Sequence, residues 1–228
     1  MFFSYERDAH KVAVISAHPD DETLGAGGTL VRHKEIGDEI HACIVTKGYT
    51  PDWSEEEIEE ARKQAENALE ILGASSVHFL GFPTVKLNVV PGKELHDKIK
   101  DFIESINPDI IYAPFYGDLN SDHQIVARTV AIAARPVPNN RRTILYFETL
   151  SSTEWGRMFQ KMNFIPNIYV DISKTIEKKI EAVRCYRLEL KEYPHPRSIE
   201  GIKTLARFRG MESGLDMAEA FMLAFHVL

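Results

Sequence analysis

Several things are scarce in this chain of 228 residues, and each scarcity closes off a class of explanation. Two cysteines are too few for a disulfide framework or a cysteine-rich zinc site. Cys43 lies in an apolar strand-like run and Cys185 in a helix-like one, so both read as free thiols in a reducing compartment. No apolar run approaches the roughly 18 residues that a membrane span requires. The segment Met1 to Asp8 is too short and too charged for a signal peptide, which makes the cytoplasm the expected location. Basic residues are outnumbered, 27 Lys and Arg against 34 Asp and Glu; the net charge of −7 argues against a nucleic-acid surface. The nearest thing to a basic cluster, Arg135, Arg141 and Arg142, reads as a solvated loop. Internal repeats, low-complexity stretches and a G-x-G-x-x-G fingerprint are all missing.

What is present is an alternation. Apolar strand-like runs at Lys11–Ala17, Glu39–Thr46, Ser76–Leu80, Asp109–Ala113, Thr143–Phe147 and Asn167–Asp171 are separated by helical periodicities. Ser54-Glu55-Glu56-Glu57 has the form of a capping box, and Gly73 that of a helix stop. Strands alternating with helices predict an α/β fold, a mostly parallel sheet with helices on both faces, formed as one domain over residues 1–228. After the sixth strand, Lys174–Leu190 and Pro196 to about Arg209 read as helices packed on the sheet.

In such a sheet ligands bind beyond the carboxyl ends of the strands, at a switch in strand order. Two polar loops sit there: His18-Pro19-Asp20-Asp21-Glu22 after the first strand and Asp118-Leu119-Asn120-Ser121-Asp122-His123 after the fourth. So many carboxylates at the end of a buried strand are costly without a positive partner, and a divalent ion is the economical one. His and carboxylate donors suit zinc, with three protein ligands and an open position for water. His18, three residues before Asp21, joins with His123 as the best facial set. Asp20 is out of phase with them and free to act as a base on a metal-bound water whose pKa is lowered to about 7. Each loop also has a plainer reading, as a helix start with acidic residues favoured by the macrodipole.

Beyond spacing, Ala17-His18-Pro19-Asp20-Asp21-Glu22 and Ser121-Asp122-His123 resemble the two motifs of the LmbE-like, or PIG-L, family of zinc-dependent de-N-acetylases. The Glu60–Gly73 helix, Pro194-His195-Pro196-Arg197-Ser198 and Ala218-Glu219-Ala220-Phe221 extend the likeness over most of the chain. The resemblance implies a Rossmann-like sheet, one zinc ion per chain on His18, Asp21 and His123, and Asp20 as general base. It further implies an N-acetylated sugar or sugar conjugate as substrate, and a trimeric or hexameric assembly that the apolar stretch Phe221–Phe225 would accommodate. Many members carry a His where this chain has Asn120, whose amide donates a hydrogen bond to an oxyanion but delivers no proton. The leaving amine is then expected to take its proton from Asp20. Arg62, Tyr116, Asp118, His195 and Arg197 are expected substrate contacts. Arg62 paired with Glu66 on an exposed helix, and Asp118 holding a turn, are the alternatives. Rival functions are an amidase of a thiol-linked sugar conjugate, a sugar-binding member that does not hydrolyse, and a nucleotide-binding module without catalysis.

Overall fold

A computed structural model describes residues 8–137, 141–159 and 162–226; Met1–Arg7 of the N-terminal segment considered above lie outside them. Its centre is a seven-stranded sheet in the order β3-β2-β1-β4-β5-β7-β6. The strands are β1 (Lys11–Ser16), β2 (Glu39–Lys47), β3 (Ser76–Pro83), β4 (Ile110–Pro114), β5 (Thr143–Phe147), β6 (Ile168–Asp171) and β7 (Ala218–Phe225). β1 to β5 pair in parallel, whereas β7 runs antiparallel to both its neighbours. The central strands are buried on both faces, which is why they read as unbroken apolar runs.

Side-chain alternation divides the core in two. Val12 and Val14 point with Ile40, Ala42, Ile44 and Tyr112 into one apolar cluster. That cluster is covered by α1 (Asp21–Glu35), α2 (Glu55–Leu72), α5 (Ile176–Val183) and α6 (Ile199–Ser213). Ala13 and Ile15 point with Cys43, Val45 and Ile111 into the other, beneath α3 (Gly92–Ile106) and α4 (Ser121–Ala133). Helix ends fall where local chemistry puts them. Ser54 and Glu57 make a reciprocal capping box on α2, which ends on Gly73 in the left-handed conformation. Asn120 caps α4 through its side-chain oxygen. α1 lies close on the sheet because it carries glycine there: a Cβ on Gly25 would stand 2.2 Å from the Phe147 ring.

The structure departs from the expectations at the C-terminal end. α5 stops at Val183, well short of Leu190, and residues 184–198 leave it as a loop. The apolar stretch Phe221–Phe225 forms the second half of strand β7, paired along β5, with Phe221 buried and Met222, Leu223 and Phe225 half-buried. No helix among the described residues is long and apolar enough to cross a membrane. Because β1 pairs with β2 on one side and β4 on the other, the switch in strand order falls between β1 and β4. Their carboxyl ends deliver the two polar loops to the same place.

Candidate active site

The loop after β1 and the first turn of α1 present His18, Asp20 and Asp21; the first turn of α4 presents His123. Three of their atoms form a nearly equilateral triangle. His18 Nδ1 and His123 Nε2 are 3.2 Å apart, His123 Nε2 and Asp21 Oδ2 3.2 Å, and His18 Nδ1 and Asp21 Oδ2 3.3 Å. The groups behind them fix their chemistry. His18 Nε2 lies 3.2 Å from Asp122 Oδ2 and His123 Nδ1 lies 3.3 Å from Asp118 Oδ1; with the protons on these outer nitrogens, the inner ones would present lone pairs to a cation. Three acceptors would thus face one point in a buried place, and the second oxygen of Asp21 has no hydrogen-bond partner. A tetrahedral ion with bonds of about 2.0 Å has ligand–ligand edges of about 3.3 Å, the zinc geometry of nitrogen and carboxylate donors. The donor set and the spacing therefore fit a zinc-type cation, and no other group of three or more His, Cys, Asp or Glu among the described residues meets so closely.

The electrostatics agree. Burial disfavours the charged form of His18, yet the carboxylates of Asp122 and Asp21 raise it to about 9. Burial likewise opposes charge on His123, but Asp21 and Asp118 push it up to about 10. Against its own burial, Asp21 is held well below the usual carboxylate range by His123 and His18. A site that attracts protons this strongly is a site of negative potential, suited to a cation.

Asp20 behaves differently. Burial pushes its carboxyl well above the usual range, with the Arg197 guanidinium pulling the other way. Arg197 donates to Asp20 Oδ2 at 2.8 Å, to Glu189 Oε2 at 2.8 Å and, through Nε, to Ser151 Oγ at 2.7 Å. Asp20 also sits at φ 109°, a backbone region uncommon for residues with a side chain. Beside it opens a cavity of about 380 Å³, whose walls include the polar His18, Asp20, Asn120 and Arg197 and the apolar Trp53, Ile58, Val85 and Leu188. Asn120 lines it, and because its carboxamide oxygen accepts the Asp122 N–H, the NH2 is left as its donor.

Of the expected substrate contacts, only Arg197 lines this cavity. Asp118 is buried behind His123, accepting hydrogen bonds from Ser152, Thr153 and the Asn120 N–H. Tyr116 packs against Phe115 and Tyr146. Arg62 is exposed, pairs with Glu66 at 3.2 Å and lies over the Phe79 ring, so the plainer reading of it holds. His195 accepts the Arg197 N–H through Nδ1 and meets the edge of Trp155, outside the cavity lining. Glu22 is fully buried and bound by Tyr186 and Thr23 rather than by the triangle. Asp122, expected from the sequence only as a crevice residue or a helix-start cap beside His123, has a further part. It bridges His18 to the N–H groups of Val85, at 2.6 Å, and Leu87.

Comparison with known proteins completes the picture. The profile of the family described as GlcNAc-PI de-N-acetylase (PIG-L) matches residues 13–134, more than half of the chain. A diacetylchitobiose deacetylase of Thermococcus kodakarensis is 28% identical over 224 residues, covering 93% of this chain and 82% of that protein. A 4-oxalmesaconate hydratase of Pseudomonas putida is 26% identical over 189 residues, covering 75% and 71%. Among solved structures, a conserved protein of Thermus thermophilus is 28% identical, with a TM-score of 0.77 and 96% of each chain covered.

Proposed function

Since the chain belongs to the PIG-L family of GlcNAc-PI de-N-acetylases, we propose that it hydrolyses the acetamide of an N-acetylglucosamine-type sugar or sugar conjugate, releasing acetate and the free amine. The observation that carries the reading is the triangle of ligand-type atoms on His18, Asp21 and His123, set beside a buried carboxylate that lines a cavity. His18, Asp21 and His123 would hold one zinc ion per chain, which would supply Lewis acidity toward the acetyl carbonyl and water. The chain's own residues do the rest. Asp20 takes the proton of the attacking water and returns it to the departing nitrogen, so that one carboxylate serves as base and then as acid. Arg197, itself held by Ser151 Oγ, keeps that carboxylate in place. The Asn120 NH2 donates to the oxygen on which negative charge develops. Asp122 and Asp118 keep the two imidazoles turned with their lone pairs inward. Cys43 and Cys185 are unbonded thiols, in keeping with the reducing, cytoplasmic setting proposed for the protein.

A hydratase among the relatives makes addition of water to a double bond the rival outcome. The cavity favours the neutral sugar over a polycarboxylate. Its cationic walls are Lys47 and an Arg197 already shared between Asp20 and Glu189, while Asp20, Glu57 and Glu189 are acidic. The test is acetate release from N-acetylglucosamine and its glycosides, with zinc and with chelator. Release that chelation stops and zinc restores supports the assignment; no release from any acetamido sugar removes it. Replacing Asp20 by Asn should lower turnover by about 10² to 10⁴, the worth of a general base, with the metal still bound. A fully active Asp20→Asn protein would reject this role.

A further inference from the structure

The apolar part of the cavity wall is not used by the chemistry just described. Trp53, Val85 and Leu188 belong to it, from three separate loops, and are 36%, 66% and 59% exposed. Large apolar side chains gathered in the open around one cavity mark a binding surface. The Trp53 ring is fixed in advance. It lies against Gly48, where an added Cβ would come within 3.0 Å of it, and the edge of the Tyr49 ring meets it at 5.6 Å. Two nearby charges are engaged elsewhere: Lys86 Nζ sits 3.7 Å over the Tyr49 ring, and Glu57 closes the cap of α2.

Val85 provides an independent observation. A β-branched residue at φ 60° is a backbone outlier at a position where glycine would sit without strain. The conformation is pinned by its N–H, which donates to the same Asp122 carboxylate that orients His18. Strain retained beside a functional site points to a use for it. Here it sets an isopropyl group on the cavity wall, registered to the metal-binding triangle.

We propose that Trp53, Val85 and Leu188 form an aglycone subsite for an apolar, ring-bearing group, an aryl group in its simplest form, attached to the acetamido sugar. The flat indole takes the ring face and the two aliphatic side chains close on its edges. The sugar end of this assignment rests on the deacetylase reading; the aglycone end does not.

Binding is measured on the zinc-loaded Asp20→Asn protein, so that ligand is not consumed, with Trp155→Phe leaving Trp53 as the one tryptophan reporter. Phenyl β-N-acetylglucosaminide should shift the Trp53 fluorescence and bind about tenfold or more tightly than the methyl glycoside, the scale of a hydrophobic-pocket contact. Trp53→Ala should remove most of that ratio, read by calorimetry. Val85→Gly should narrow it while raising the melting temperature, which a residue serving stability alone would not do. Equal affinity for the two glycosides, or a ratio unmoved by both substitutions, overturns the subsite. Diacetylchitobiose binding as tightly as the phenyl glycoside overturns its apolar character in favour of a second sugar. A ratio that persists although the wild-type enzyme releases acetate from neither glycoside keeps the subsite and removes the deacetylase reading.

Discussion

Asn120 uses the two ends of one carboxamide for different purposes, which makes its contributions separable. The oxygen caps α4, and the NH2 is left to donate in a residue that lines the cavity. Asn120→Ala should therefore lose about 10² in turnover, as for one oxyanion donor, and also about 1 kcal/mol of stability from the missing cap. Asn120→Ser keeps a capping oxygen and should lose the turnover alone; denaturant titration beside initial rates distinguishes the two. Asp118 gives a second residue-scale expectation. It touches no substrate space, yet it holds His123, so Asp118→Ala should weaken zinc binding by about 10- to 100-fold, measured by competition with a chelator. The proposed ligand pair and base were legible because they lie within a few residues in His18-Pro19-Asp20-Asp21. The Arg197–Asp20 pair was not, since 177 positions separate its members and nothing local marks either as the other's partner.

At the scale of elements, α1 is held from outside its own hydrogen-bond ladder. Lys179 Nζ on α5 donates to the Leu24 carbonyl at 2.6 Å and to Glu219 Oε1 on β7 at 2.7 Å. Glu219 in turn accepts the N–H groups of Gly28 at 2.9 Å and Thr29 at 2.7 Å, so a buried ion pair is wedged between consecutive turns of the helix that begins with Asp21. Lys179→Met leaves that carboxylate uncompensated and should cost about 3–5 kcal/mol in a denaturant titration. The six strand-like runs in the sequence are all strands here because each is apolar and bounded by turns. β7 escaped notice for a physical reason. Ala218-Glu219-Ala220-Phe221-Met222-Leu223 is rich in residues that favour helices and has no β-branched member, and only pairing with β5 and β6 makes it a strand. α5 is shorter than its periodicity suggests because the residues after Val183 are needed elsewhere: Tyr186, Leu188, Glu189 and Arg197 wall the cavity.

For the whole molecule, the metal should offset a pH dependence of stability that the site creates when empty of it. In chelated protein, His18 and His123 stand at about 9 and about 10, above an unfolded value near 6.5. Their stabilising contribution is complete below about pH 6.5 and disappears as pH rises through 9 to 10. Asp20 and Glu22, raised by burial, work in the same direction from lower pH, while the contribution of the lowered Asp21 is already constant in this window. The melting temperature of the chelated protein should thus fall between pH 6.5 and 10. Zinc binds the deprotonated ligands, so the gap between loaded and chelated melting temperatures should widen over the same range; a gap that narrows would contradict the ligand set. β7 has a kinetic counterpart. It is made after every strand it joins, and β6 has no other neighbour in the sheet. Through Glu219 it also secures the helix that carries a ligand from the opposite end of the chain. A nascent chain can pair β1 to β5 as they emerge, but α1 waits for its clamp until β7 has been synthesised, which makes a late, long-range docking step the expected limit on maturation.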